Sequence, residues 1–465
     1  MEKKAKTLRE LKDSGYQSKP VKREIRDNTI SRIKSGTPLI EKVSGYENTV
    51  LPALEVALIS GHDIILLGER GQAKTRIIRS LVSLLDEWMP IVAGSELNDD
   101  PLAPTSGYAK EKVAEMGDDT PVDWIHRSQR YSEKLATPDT SMADLIGEVD
   151  PIKVAEGRYL SDEFTMHYGL VPRTNRGIFA INELPDLAER IQVGLLNLLE
   201  ERDVQIRGYK IRLDLDLMFV ATANPEDYTN RGRLITPLKD RFGTQLRTHY
   251  PKMPEIEIEI MHQESSALAT EGDVHVPKFM SEIVAEISQQ ARKSPSINQR
   301  SGVSVRMSVS NYETMVSSAT RRALLLREDQ VAPRISDLWA LASSTAGKIE
   351  IDAFEADADK ELIPRLISSA VLNVFRQRFN VDQLRDVVGY FDDRQIVELG
   401  PSVASKEYAA LADRIPGLGE AVRKLDDSSP AATASSVEFV LEGLHYSKKL
   451  NKREQSGKIG YFTKG

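Results

Sequence analysis

The chain of 465 residues contains no cysteine. That excludes disulfides, thiolate metal sites and a cysteine nucleophile. Histidine is scarce as well: the seven present are scattered, without an H-E-x-x-H or other ligand spacing, so no structural metal is expected. No apolar run approaches the roughly 18 residues that a membrane span needs. The opening stretch, MEKKAKTLRELKDSGYQSKP, lacks the apolar centre of a secretory signal. A cytoplasmic protein with no membrane partner is the expectation. Positive charge is in deficit overall, with a net of −8. An acidic body argues against sequence-independent nucleic-acid binding, which relies on Lys and Arg neutralising phosphates.

What is present is unevenly spread. Residues 1–35 hold eleven Lys and Arg against five Asp and Glu, so residues 1–36 read as a basic, solvated, partly helical arm that could touch an acidic partner. The length exceeds one compact core, and several domains are expected. LIEKVSGYENTVLPALEVALISG, with Leu51, Leu54 and Leu58 at helical spacing, reads as a helix ended by Gly61. DIILLG suits a buried parallel strand, and AKTRIIRSLVSLLDEW after it is helical. From about 90 to 140 the chain is polar and rich in Gly, Pro and Asp, as in a surface insertion. Two more apolar strands follow, GIFAIN (177–182) and LMFVATAN (217–224). LAERIQVGLLNLLEERD between them is helical, and VQIRGYKIRLDLDL alternates around Gly208 like a hairpin.

Strands alternating with helices predict an α/β fold over 37–250, a parallel sheet with helices on both faces. Beyond Pro251 the strand patterns stop. A helical lid is expected over 251–345 and a helical extension over 346–465, closed by a basic tail. In that extension SSVEFVLEGLH reads as a helix start with a capping box from Ser435 to Glu438.

The chemistry centres on GERGQAKT, Gly68 to Thr75, one residue from the phosphate-binding pattern G-x-x-x-x-G-K-[ST]. Gly68 and Gly71 let the backbone turn so that N–H groups face a phosphate chain. Residues Gly68, Glu69, Arg70, Gly71, Gln72, Ala73, Lys74, Thr75 and Arg76 form the candidate nucleotide-binding set. Lys74 would reach the β- and γ-phosphates of ATP, and Thr75 would ligate Mg2+. Ala73 replaces a glycine, which is tolerable where the backbone does not demand positive φ. Glu183, directly after an apolar strand, emerges at the carboxyl edge of the sheet and could polarise the attacking water. Asn182 stands where an aspartate usually holds a magnesium-bound water, keeping the shape but losing the charge. Asn224 would face the γ-phosphate or the water from the end of the next strand. Arg241, in PLKDRFG, is a candidate finger reaching a neighbouring subunit's site; a bridge to Asp240 is the alternative. Arg306, near a helix start, could reach the γ-phosphate and link lid position to nucleotide state.

Taken in order, these pieces resemble the AAA+ ATPases. GERGQAKT resembles their first phosphate motif, FAINE the second, ATANP the first sensor, LKDRFG the finger and SVRMS the second sensor. Within that group the likeness is to the I subunit of magnesium chelatase and the MoxR-type ATPases. ELNDDPLAP resembles the acidic Asp-Pro segment of the chelatase subunit, MADLIGEVDPIKVAEGR a helix-two insertion (about 141–170), and GLVPRTNRGIFAINE the approach to the second motif. The resemblance implies an AAA+ P-loop core, a hexameric ring, ATP held between subunits, and a partner with a von Willebrand factor A domain. It implies ATP-driven remodelling of a partner, while other subunits of a chelatase hold the porphyrin; no porphyrin site is legible here. Two other readings remain: a nucleotide-dependent scaffold with negligible turnover because of Asn182, and a DNA motor, disfavoured by the acidic body.

Overall fold

The computed structural model describes residues 4–150, 165–200, 213–224, 233–266, 274–298, 302–351, 358–392, 395–455 and 458–463. The chain divides into two compact units, Met1–His249 and Tyr250–Gly465. The expected hairpin around Gly208 and residues 151–164 of the helix-two insertion lie outside the described residues.

The first unit is built on five parallel strands. They are β1 (Ile64–Leu67), β4 (Tyr131–Leu135), β7 (Gly177–Asn182), β8 (Leu217–Ala223) and β9 (Thr244–Arg247), in the order β4-β7-β8-β1-β9. The three central strands are buried along their whole length. Successive residues of a strand face opposite sides, and the apolar residues divide accordingly. Ile64, Leu66, Ile178, Ala180, Met218 and Val220 pack with Ile77 and Ile78 of the helix after the loop. Ile65, Leu67, Phe179, Ile181, Phe219 and Ala221 pack on the other face with Ile191 and Leu195 of the helix Glu189–Glu200. Burying each such side chain contributes about 1.5–3 kcal/mol, so a sheet covered twice can hold polar residues at its ends. Two small antiparallel pairs flank it: β2 (Trp88–Val92) with β3 (Val122–His126), and β5 (Gly147–Val149) with β6 (Met166–Tyr168).

Two sequence expectations need correction in this unit. The stretch 90–140 is not only a surface insertion: it contributes β4, the edge of the main sheet, and most of the β2–β3 pair. YSEKL is half-polar because an edge strand has one side open to water, so periodicity alone hides it. The N-terminal arm is also not solvated. It forms α1 (Leu8–Asp13) and α2 (Val21–Ser35), with Leu8, Leu11, Val21 and Ile25 buried. The charge count misled because it does not show partners: of the five Lys and Arg of α2 only Arg23 and Lys34 are exposed, Lys22, Arg26 and Arg32 bond to Asp63, Ile59 O and Ser83 O, and Glu24 points inward. There Glu24 accepts a two-pronged bond from Arg130, at 2.6 and 2.8 Å, with Arg130 only 1% exposed. The next helix, α3, spans Val50–Ile59, and α4, after the loop, spans Lys74–Ser80.

The second unit is mainly helical, including Pro254–Glu264, Lys278–Ala291, Val305–Leu326, Ala358–Arg378 and Pro430–Tyr446. One buried cluster runs through 251–345 and 346–465 alike, with Phe279 stacked on Phe439 at 4.5 Å between ring centres. Three strands appear where none were expected: β10 (Val397–Leu399), β11 (Asn451–Gln455) and β12 (Lys458–Phe462), antiparallel in the order β10-β12-β11. The basic tail therefore pairs as a hairpin. The capping box also fails. The helix begins at Pro430 under Ser429, and Ser435 and Glu438 lie buried in its interior, bonded to Pro333 O and to Ser336 and Tyr408.

Candidate nucleotide site

The loop joining β1 to α4 lies at the carboxyl end of the central strand. Gly68 N donates to Ala223 O of β8 at 3.1 Å, tying the loop to its neighbour. A side chain at Gly68 would meet Thr248 Oγ1 at 1.9 Å and Gln72 Oε1 at 2.3 Å, so only glycine fits. Gln72 is held inside the loop by Thr248 Oγ1 at 2.7 Å and accepts from Glu69 N at 3.1 Å. Gly71 has φ 74° and Ala73 φ 56°. The condition under which alanine is free of cost, a backbone without positive φ, is therefore not met at Ala73. The loop needs the left-handed region there, and alanine holds it at a cost of roughly 1–2 kcal/mol.

Lys74 is buried, and its ammonium donates to the carbonyls of Gly68 and, at 2.9 Å, Glu69. Thr75 follows it in α4, partly buried; Arg70 is exposed, and Arg76 donates to Lys42 O at 3.0 Å. Tyr46, which sequence reasoning missed, locks the loop from below. Its hydroxyl is 2.9 Å from both Gln72 O and His249 O. Burial pushes its pKa up to about 12, although the hydrogen bonds to its oxygen oppose this.

Asn182, Glu183 and Asn224 follow or end the adjacent strands β7 and β8 at the same edge. Asn182 is 7% exposed and Asn224 3%. Glu183 holds φ 54°, ψ 48°, and its N–H donates to Thr222 Oγ1 at 2.9 Å. Thr222 in turn donates to Asn182 Oδ1 at 3.3 Å. The amide nitrogen of Asn182 donates to Glu133 of β4. Glu133 also accepts from Arg79 of α4, at 2.7 and 3.1 Å, and from Tyr131 at 2.8 Å. Burial pushes the Glu133 carboxyl up, but the bonds from Arg79, Tyr131 and Asn182 outweigh it and hold the group below its ordinary value. No sequence signal pointed to Glu133, because its strand reads as insertion. Thr222 lies inside the quoted ATAN but looks like core.

Arg241 lies apart from this edge. Arg241 ends the helix Thr236–Arg241 and donates to Pro237 O at 2.9 Å. Gly243 lies against His62, at the amino end of β1. At about 3.3 Å per residue, the strand between His62 and Gly68 separates Arg241 from its own chain's loop by on the order of 20 Å. Arg306 belongs to the second unit, exposed in the first turn of Val305–Leu326 under the N-cap Ser304.

The residues fit a nucleoside triphosphate with its metal: a cradle that a Cβ would fill, a buried ammonium at its floor, and a hydroxyl next to it. Among the described residues no group of three His, Asp or Glu is placed to hold a metal alone.

Residues 106–242 match the AAA domain (dynein-related subfamily), a span that includes β4, β7, β8 and Arg241 but begins after the loop. The magnesium-chelatase subunit ChlI of Anabaena variabilis is 29% identical over 222 residues, 47% of this chain and 60% of that protein. The chloroplastic ChlI of Chlamydomonas reinhardtii is 27% identical over 207 residues, 44% of this chain and 46% of that one. The chain thus spans about half the length of the relatives it matches. A structure of the complex between subunits BchI and BchD of magnesium chelatase overlaps loosely, with a TM-score of 0.33 and 19% identity over 68% of this chain and 95% of that one.

Proposed function

For a chain of the AAA+ ATPase type related to the magnesium-chelatase ChlI subunits, we propose that it binds Mg-ATP on the 68–76 loop, hydrolyses it at an interface between copies of itself, and uses the cycle to remodel a partner protein. The observation that carries the proposal is the convergence of the loop, Asn182–Glu183 and Asn224 on one carboxyl edge of three adjacent strands. Gly68 to Ala73 wrap the phosphates, Lys74 exchanges its loop carbonyls for phosphate oxygens, and Thr75 supplies a metal-binding hydroxyl. The bound ion, when present, neutralises charge on the phosphates. Glu183 accepts the proton of the attacking water, and Asn224 orients that water.

Arg241 supports the assembly. It is at the wrong end of β1 to serve its own loop, but a subunit packed against that face receives it as a finger. Arg306 would report the nucleotide to the second unit. A ring, hexameric as the family resemblance implies, follows from a head-to-tail contact that closes. A partner with a von Willebrand factor A domain belongs to the same reading. So does a cytoplasmic location: among the described residues no helix is long and apolar enough to cross a membrane.

The test is steady-state ATP hydrolysis with Mg2+ across a protein concentration series. Turnover per chain should rise with concentration and vanish in Glu183→Gln, while that variant still binds ATP. Tight ATP binding with no hydrolysis at any concentration would favour the scaffold reading instead.

A further inference from the structure

The charge missing from position 182 is present one strand away. Glu133 lies opposite Ala180 in the β4–β7 register, on the face that Asn182 shares two residues further on. Its carboxylate receives the Asn182 amide, and its side chain is 18% exposed. A carboxylate only accepts hydrogen bonds. It therefore dictates which way the amide lies: nitrogen towards β4, oxygen towards Thr222 of β8 and the centre of the site. The same carboxylate holds Arg79, five residues beyond Lys74 in α4. Only the arginine end of that pair is open to water, Arg79 being 65% exposed and Glu133 18%. Solvent at the guanidinium weakens the pairing, so Arg79 screens Glu133 without cancelling it.

From this arrangement we infer that Glu133 is a positioning residue for the metal. Acting through Asn182, it supplies the negative charge and the fixed acceptor that an aspartate at 182 would have combined in one side chain. The inference rests on the Mg-ATP reading above and names a residue that reading lacks.

The consequence runs against intuition. Asn182→Asp alone puts a second acceptor where Glu133 needs a donor, and two adjacent carboxylates repel. It should not improve the site. Exchanging the pair, Glu133→Gln with Asn182→Asp, restores one donor and one charge.

The experiment measures binding of a fluorescent ATP analogue with Mg2+ and with EDTA, together with the melting temperature of each nucleotide-free protein. In Glu133→Gln the tightening caused by Mg2+ should fall on the order of 10-fold or more, with affinity in EDTA unchanged. Asn182→Asp should melt below the parent and gain no Mg2+ effect. The double variant should recover both quantities. Arg79→Ala removes the tie to α4 but keeps the charge, so it should retain the Mg2+ effect, which a merely structural role for the cluster would not allow. The inference is overturned if Asn182→Asp equals or exceeds the double variant, if Arg79→Ala loses as much as Glu133→Gln, or if Glu133→Gln leaves the Mg2+ effect intact. Should Glu133→Gln not fold, the comparison of Asn182→Asp with the double variant and the Arg79→Ala result still decide. A parent chain that binds no ATP at all overturns the nucleotide reading, and this inference with it.

Discussion

Two non-glycine residues of the site hold left-handed backbone, Ala73 at φ 56° and Glu183 at φ 54°. For Ala73 the effects nearly balance. Glycine there would relieve roughly 1–2 kcal/mol of strain, against about 0.5–1 kcal/mol from the greater freedom of the unfolded chain. Ala73→Gly should thus be neutral to slightly stabilising in urea denaturation. Ala73→Val, with branching at Cβ, should cost more than about 2 kcal/mol and weaken ATP binding; a tolerated valine would show that the loop readily adopts another path. Tyr46 gives a second residue-scale expectation. Removing its hydroxyl in Tyr46→Phe leaves Gln72 O and His249 O short of a donor, costing about 1–3 kcal/mol. Because its pKa is raised to about 12 in the fold, against about 10 in the unfolded chain, the unfolded state loses its proton first. Its contribution to stability is complete below about pH 10 and declines as pH rises towards 12. Urea midpoints across that window should fall less steeply in Tyr46→Phe than in the parent.

At the scale of elements, the N-terminal helices belong to the first unit's core. Glu24 bonds Arg130 and accepts from Asp86 N, and Val21 N donates to Asp216, just before β8. Glu24→Ala leaves Arg130 as a buried, uncompensated charge, at an expected cost of about 3–5 kcal/mol. Glu24→Leu combined with Arg130→Met should cost clearly less than either single change in the same denaturation series; additive losses would deny the coupling. Legibility follows the same physics. The three central strands could be read from the sequence almost to the residue, because burial on both faces writes an unbroken apolar run. Both edges, β4 and β9, were missed, since YSEKL and TQLR mix polar and apolar residues. Of the candidate site, the loop and the residues after β7 and β8 were legible through motif order. Tyr46, Thr248, Thr222 and Glu133 were not. Their roles depend on which strands become neighbours, and that is settled by packing between segments far apart in sequence.

For the whole molecule, the proposed function makes activity depend on assembly. If Glu183 and Arg241 serve one site from two chains, Glu183→Gln and Arg241→Ala should each abolish turnover, the finger's loss amounting to about 1,000-fold or more. Mixing the two inactive proteins should then regain part of the rate, because some interfaces pair an intact Glu183 with an intact Arg241. No regain, in mixtures shown to exchange subunits, would place the arginine outside the reaction.

The left-handed backbone of Glu183 also makes position 183 a record of selection. Residues in that conformation cost about 1–3 kcal/mol, a cost that the surrounding structure has to offset. A library randomised there and sorted for heat resistance should drift to glycine or asparagine. The same library sorted for survival on the protein's biological task should return glutamate only if hydrolysis is part of that task.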